Sequence, residues 1–146
     1  MNDSKDVLIP EEHHELLRKQ HFAMLTTMRA DGMFSTNPVG FTWDGEKLRI
    51  STLKSRLKYS NIKNDSRVAF CVQSFSDPMH YVEVRGHATL EDDTDRSYFR
   101  MQFRDGSGGQ EPPDDMDPPG SERVVITIHP VKVSAPTLYG GRFHKD

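Results

Sequence analysis

The chain has 146 residues, a formal net charge of -3 and 34% hydrophobic residues, with a mean hydropathy of -0.70. This length favours a single domain, and no stretch approaches the roughly 20 apolar residues that a membrane-spanning helix needs. The N-terminal residues lack the apolar run of a signal peptide, and the single cysteine, Cys71, cannot form an internal disulfide. We therefore expect a soluble, cytoplasmic protein without a membrane partner.

In chain order, apolar alternation and turn residues predict short strands joined by tight turns, with three helices between them. Two Asp-Gly pairs are typical of β-hairpin turns, so the first three strands should form an antiparallel meander. The second strand should bend near Pro38 and Gly40, and the long fifth strand near Gly86. Ser55 is the expected N-cap of the second helix. The predicted elements are a helix at 10–20, strands at 22–29, 34–43 and 47–53, a helix at 56–64, strands at 68–74 and 79–90, a helix at 93–104 and a strand at 123–133.

Residues 105–121 differ from the rest of the chain, because they are rich in proline, glycine and acidic residues and nearly free of large apolar ones. Such a segment buries too little apolar surface to offset its ordering entropy, which predicts a mobile loop. We expect one domain over residues 1–146, with this loop and a C-terminal tail at 136–146. The number of strands indicates an α+β domain, mainly β, with a small barrel at its centre.

Residues 47–63 carry six cationic side chains and no acidic one, although the whole chain is slightly acidic. The charges gather where a predicted strand leads into a predicted helix, and such a corner with nearby hydroxyls suits an anionic ligand such as a phosphate. A solvated cationic face is the alternative. Nucleic acid would favour interleaved exposed aromatics, of which only Tyr59 is present, so we expect no nucleic-acid partner. The cations are Lys47, Arg49, Lys54, Arg56, Lys58 and Lys63, and the hydroxyls are those of Ser51, Thr52, Ser55 and Ser60.

No catalytic or metal-binding arrangement is evident among the seven histidines and the carboxylates. His13 and His14 are adjacent and would face different sides of a helix, so the i,i+4 pair of a zinc site is missing. The chain also lacks a Ser/His/Asp order and a pair of carboxylates spaced for acid–base chemistry. Any chemistry is therefore expected to belong to a bound cofactor, and the catalytic residues stay unassigned.

Four motifs in the first half of the chain occur in a recognisable order. They are AMLTTMRADG, NPVGFTWDG, the corner S-R-x-K-x-x-N-I and the following N-D-S-R-V-A. Over residues 22–90 this order resembles the pyridoxamine 5'-phosphate oxidase-like split β-barrel family, whose fold is FMN-binding-like. It is most similar to the branch of actinobacterial coenzyme F420 (deazaflavin)-dependent oxidoreductases, which includes deazaflavin-dependent biliverdin reductases. The resemblance implies a homodimer with a cofactor groove at the subunit interface.

The resemblance also implies where the cofactor binds and what reaction it supports. Family members hold the cofactor phosphate with basic residues at the strand-to-helix corner, and they lay the ring along the strand that matches residues 37–40. The implied reaction is hydride transfer from the reduced deazaflavin to a small conjugated or unsaturated substrate. The implied cofactor-binding residues are Arg56, Lys58, Ser51, Thr52, Ser55, Lys54, Asn37, Pro38 and Val39.

The cofactor stays open between coenzyme F420 and FMN, because FMN-using members of the family share the corner. Coenzyme F420 carries a polyglutamate tail, and the outer cations of residues 47–63 provide more positive charge than one FMN phosphate needs. This excess, from Lys47, Arg49, Lys54 and Lys63, favours the deazaflavin. Two other functions remain, namely an FMN-dependent oxidoreductase of the same fold and a non-catalytic protein that binds or stores F420.

Overall fold

The computed structural model describes residues 6–136 and has a mainly β fold with three α-helices in that range. The helix predicted at 10–20 is confirmed, although its first turn is a 3₁₀ turn. The predicted tail lies outside the described residues from position 137 onward. In chain order the elements are the 3₁₀ turn Glu11–His13, α1 His14–Lys19, β1 Phe22–Met28, β2 Phe34–Gly40, β3 Thr42–Trp43, β4 Leu48–Leu53, α2 Leu57–Asn64, β5 Arg67–Gln73, β6 Tyr81–Asp92, α3 Ser97–Ser107 and β7 Arg123–Ser134.

The seven strands form one antiparallel sheet in the order β2-β1-β5-β6-β7-β4-β3. Alternate side chains of the central strands are buried, so that Phe70 lies opposite Val84 and Val72 opposite Val82 at the middle of the core. Burial of each such side chain contributes about 1.5–3 kcal/mol, which explains why the sheet curls around them. The predicted fold, an α+β split barrel that is mainly β, is confirmed.

The strand predicted at 34–43 is interrupted at Phe41, and its two parts lie at opposite ends of the sheet order. β2 pairs with β1, whereas β3 pairs with β4, so the expected three-stranded meander is wrong and two separate hairpins replace it. Phe41 causes the break, because its side chain turns into the core and meets Phe70 edge to face at 5.0 Å. The barrel is therefore split next to this residue.

Gly86 is the bend predicted in β6. The pairing of β6 with β7 shifts register between Arg85 and Gly86, where the two strands approach closely. A Cβ atom at position 86 would lie 2.1 Å from the backbone oxygen of His129. Only glycine fits this approach, so the sequence signal reflects a real bulge.

Helix α3 begins at Ser97, which is later than the predicted start. The buried carboxylate of Asp93 accepts hydrogen bonds from the backbone N–H groups of Tyr98 and Phe99, at 3.2 and 2.9 Å, and so caps the helix from the preceding loop. The helix continues to Ser107, so the first three residues of the predicted 105–121 loop belong to it. The mobility of the rest of that segment stays a prediction.

Candidate functional site

The strand-to-helix corner predicted from the charges lies between β4 and α2. β4 ends at Leu53, and α2 begins at Leu57 with Arg56 as its N-cap residue in an extended conformation. No side-chain hydrogen bond caps this helix, so the prediction that Ser55 is the N-cap is wrong. The first-turn N–H groups of α2 consequently lack the protein cap that most helices carry.

A cleft of about 160 Å³ opens at this corner and brings β2, β4 and β7 together with it. Six of the nine predicted cofactor-binding residues line the cleft, whereas Asn37, Lys54 and Ser55 do not. The strand expected to carry the cofactor ring and the corner expected to hold its phosphate are therefore neighbours. The lining residues are Pro38, Val39, Gly40, Ser51, Thr52, Leu53, Arg56, Lys58 and Arg123.

Arg56 and Lys58 are the two cations of the corner that face the cleft. Within residues 6–136, no carboxylate lies at ion-pairing distance from either of them. Burial, together with the nearby positive charge of Arg56, lowers the pKa of Lys58. Two neighbouring cations without a carboxylate partner form a local excess of positive charge that an anion would relieve.

The other cations of residues 47–63 are engaged differently, and the inference of a large uncompensated charge is wrong. Acidic residues from outside the run pair with three of them, and the ring of Tyr59 lies 5.7 Å from the ammonium of Lys63. Lys54, one of the predicted cofactor-binding residues, is held by two carboxylates away from the cleft. The ion pairs are Lys47 with Asp6, Arg49 with Asp44, and Lys54 with Asp92 and Glu122.

Arg123 lines the cleft although the sequence pattern did not single it out. It begins β7, which pairs with β4, and its guanidinium donates a hydrogen bond to the Oγ of Ser51 at 3.2 Å. The same guanidinium binds both carboxylate oxygens of Asp117 and lies 3.8 Å from the ring centroid of Phe99. No local motif marks this arginine, since only the pairing of distant strands brings it to the cleft.

Asn37 lies next to the cleft, on β2. Its side-chain oxygen is buried and has no hydrogen-bond partner within the described part of the chain. A buried acceptor without a partner costs free energy unless a ligand or water supplies the donor. Asn37 does not itself line the cleft, so the fit of the site to a phosphate-bearing cofactor depends on the cations of Arg56 and Lys58.

A second cavity, of about 310 Å³, adjoins the cleft and shares Gly40, Ser51 and Arg123 with it. It lies between α3 and the barrel, and four phenylalanines contribute to its mainly apolar lining. The site is therefore bipartite, with a cationic part for an anion and an apolar part beside it.

Within residues 6–136, His14 and Cys71 have structural roles and no metal site is present. The Nε2 of His14 donates a hydrogen bond to the backbone oxygen of Ile9 at 2.8 Å, and its ring packs at a tilt against Trp43 with the centroids 4.5 Å apart, which is a structural role. Burial raises the pKa of the Cys71 thiol, so this group is not activated as a nucleophile. No group of three His, Cys, Asp or Glu side chains within residues 6–136 could hold a metal ion. No helix in this range is long and apolar enough to cross a membrane.

Comparison with known proteins identifies the family. The family model described as pyridoxamine 5'-phosphate oxidase matches residues 9–135 of the chain. The chain belongs to the pyridoxamine 5'-phosphate oxidase family. A solved structure described as an F420 reductase is 35% identical to this family member, covers 86% of this chain and 98% of its own, and superposes with a TM-score of 0.73. The resemblance inferred from the motifs is confirmed.

Two more distant solved structures share the fold. A putative pyridoxamine 5'-phosphate oxidase from Listeria innocua is 19% identical, with 86% of this chain and 95% of its own covered and a TM-score of 0.66. An FMN-binding protein related to pyridoxamine 5'-phosphate oxidase, from Nostoc punctiforme, is 18% identical, with 87% and 84% covered and a TM-score of 0.61. No functionally curated protein matches this family member by sequence. The two distant structures show the shared fold, whereas the family match and the 35% identical structure support an oxidoreductase of this fold.

Proposed function

We propose that the protein is a coenzyme F420H2-dependent reductase of small conjugated or unsaturated substrates. The observation that carries the proposal is the pair Arg56 and Lys58, which lie opposite residues 38–40 of β2 and have no carboxylate partner among the described residues. The 35% identity to a structure described as an F420 reductase supports the choice of the deazaflavin. A reduced deazaflavin bound at this site would supply a hydride to the substrate, and solvent would supply the accompanying proton.

The residues of the cleft have separate roles in this proposal. Arg56 offers a planar fork for two phosphate oxygens, and Lys58 adds a point charge. The hydroxyls of Ser51 and Thr52 complete the phosphate contacts, while the strand with Asn37 supports the ring. Lys54 is no longer proposed as a phosphate ligand, because Asp92 and Glu122 already hold its ammonium.

We further propose that the protein acts as a homodimer. Phe22 and Met24 on β1 and Phe34 on β2 are 52, 43 and 68% exposed, and the strand register puts them on one outer face. This face continues through Pro38 to the cleft. Contiguous exposed apolar side chains are typical of a protein interface, and a second copy covering them would complete the cofactor groove.

An FMN-dependent oxidoreductase is the second candidate. It is favoured by the ion pairs of Lys47, Arg49 and Lys54, which leave less positive charge for a polyglutamate tail than the sequence suggested. A phosphate site built from Arg56 and Lys58 alone would satisfy FMN as well.

Titration of the purified protein with F420 and with FMN separates these functions. The proposal predicts tight F420 binding, followed by oxidation of F420H2 when a quinone or enone is added. Tight FMN binding without F420 binding would establish the second candidate. F420 binding without turnover of any quinone, enone or tetrapyrrole would instead indicate a storage protein.

A further inference from the structure

The cavity beside the cofactor cleft has the size and lining of a site for a small apolar molecule. Five large apolar side chains contribute to its wall, namely those of Phe22, Phe41, Phe99, Phe103 and Met116. Cavities that bind small molecules begin at about 300 Å³, and this one measures about 310 Å³. It therefore has room for one or two fused rings.

Gln102 brings a polar group to this apolar wall. Its Oε1 accepts the backbone N–H of Ser51 at 3.1 Å, which fixes the orientation of the amide. The Nε2 lies beside Gly40, where an added Cβ would approach it to 2.6 Å. Within residues 6–136 no acceptor binds this nitrogen, so its N–H groups are available to a carbonyl oxygen in the cavity.

Asp117 holds the segment that closes the cavity. Its side chain is only 4% exposed, and it accepts hydrogen bonds from Arg123 at 2.6 and 2.8 Å and from Arg96 at 2.8 Å. The hydrogen bond from Arg123 is the main reason that the pKa of Asp117 is below its usual value, so the carboxylate is charged at neutral pH. Its neighbour Met116 lies half-exposed at the cavity wall.

The wall of the cavity also bears on the charge of its ligand. Arg96 and Arg123 lie near the ring of Phe99, at 5.2 and 3.8 Å, and both guanidinium groups share the single carboxylate of Asp117. The phenylalanine side chains of the wall offer no hydrogen bond to a charged group, and burial of an unpaired charge against them would cost free energy. The apolar part of the site therefore favours a neutral molecule.

We propose that this cavity is the substrate subsite, that it takes a neutral molecule of one or two fused conjugated rings bearing a carbonyl, and that Asp117 is the positioning residue that holds Met116 over it. The ring packs among the phenylalanines, and the carbonyl accepts a hydrogen bond from Gln102. The assignment as a substrate subsite rests on the proposed reductase function, whereas binding of the ring needs no cofactor.

Calorimetric titration of the cofactor-free full chain with tetralone, a bicyclic ketone, tests the cavity. Met116→Trp should weaken tetralone binding at least tenfold, because the larger ring fills the cavity. Met101→Trp is the matched control, since Met101 is exposed on α3 and does not line the cavity. Equal affinities in the two variants overturn the proposal. Tetralone should also bind more tightly than tetralin, which lacks the carbonyl; equal affinities overturn the role of Gln102.

Asp117→Asn tests the positioning role. Tetralone affinity should fall about tenfold, and KM for naphthoquinone in the F420H2 assay should rise by a similar factor while kcat changes less than threefold. Asp117→Glu, which keeps the charge, should recover part of the loss. A fall in kcat with unchanged KM and unchanged tetralone affinity overturns this role. The tetralone titrations use cofactor-free protein, so they test the cavity even if the protein does not bind F420. If tetralone does not bind, the result of the F420 titration is not affected.

Discussion

Removal of Arg56 or Lys58 should weaken cofactor binding by different amounts. A charge-assisted hydrogen bond contributes about 1.5–3 kcal/mol. Arg56 is exposed, so solvent screens its charge. The loss of binding free energy in Arg56→Ala should therefore lie near the lower limit of this range, which corresponds to an increase of about 10-fold in Kd. Lys58 is partly buried, so the loss in Lys58→Ala should lie near the upper limit of the range, which corresponds to an increase of about 150-fold in Kd. The double variant should lose less than the sum, because both groups bind one phosphate and repel each other in the free protein.

Quenching of F420 fluorescence gives Kd for the wild type, the two single variants and the double variant, and FMN binding is measured in parallel. Lys19→Ala is the control, because it removes one positive charge from an exposed ion pair with Glu15 on α1. Lys54→Ala should also leave Kd nearly unchanged, since its ammonium is engaged by carboxylates. If Arg56→Ala and Lys58→Ala both bind the cofactor as the control does, the corner is a solvated cationic face.

Three further predictions follow from the described residues. Gly86→Ala should lower the free energy of unfolding by about 1–3 kcal/mol in thermal denaturation, because its Cβ meets a backbone oxygen of β7 at 2.1 Å. Gly106→Ala, which meets nothing within 4 Å, should not destabilise the protein. Phe34→Glu should convert a dimer to monomers in light scattering, whereas Phe75→Glu, at a similarly exposed position, should not. A monomeric wild-type protein would contradict the dimer. Because burial lowers the pKa of Lys58, cofactor affinity should be full while this lysine is protonated and fall as the pH rises through its lowered pKa. Lys58→Arg should remove that alkaline loss, and an unchanged wild-type Kd across the alkaline range would contradict it.

The corner could be predicted because its signal is local. Arg56 and Lys58 are two positions apart, directly after a strand, and no nearby acid in the sequence cancels them. The same local reasoning misjudged Lys54. Its carboxylate partners come from residues 92 and 122, which the pairing of β6 and β4 with β7 brings alongside. Charge counted along the chain cannot include acids that arrive through strand pairing.

Arg123, Asp117 and the strand break at Phe41 could not be predicted from the sequence. Arg123 is an isolated cation at the start of a strand, and its contact with Ser51 spans 72 positions of the sequence. Asp117 lies in a segment whose composition predicts mobility, although its own side chain is nearly inaccessible to solvent. The break at Phe41 was missed because both halves of an interrupted strand have the same extended pattern.

The pairing of β4 with β7 also determines when during synthesis the cofactor site can form. The cleft needs residues 38–40, the corner after β4 and Arg123, so it cannot form until β7 has left the ribosome. Until then β4 and β6 each have an open edge, and open edges pair readily with other chains. Arg49 on β4 and Lys47 and Lys54 beside it give one of these edges charged side chains, which discourage such pairing. Cations that contribute little to the cofactor can therefore protect the unfinished barrel from aggregation.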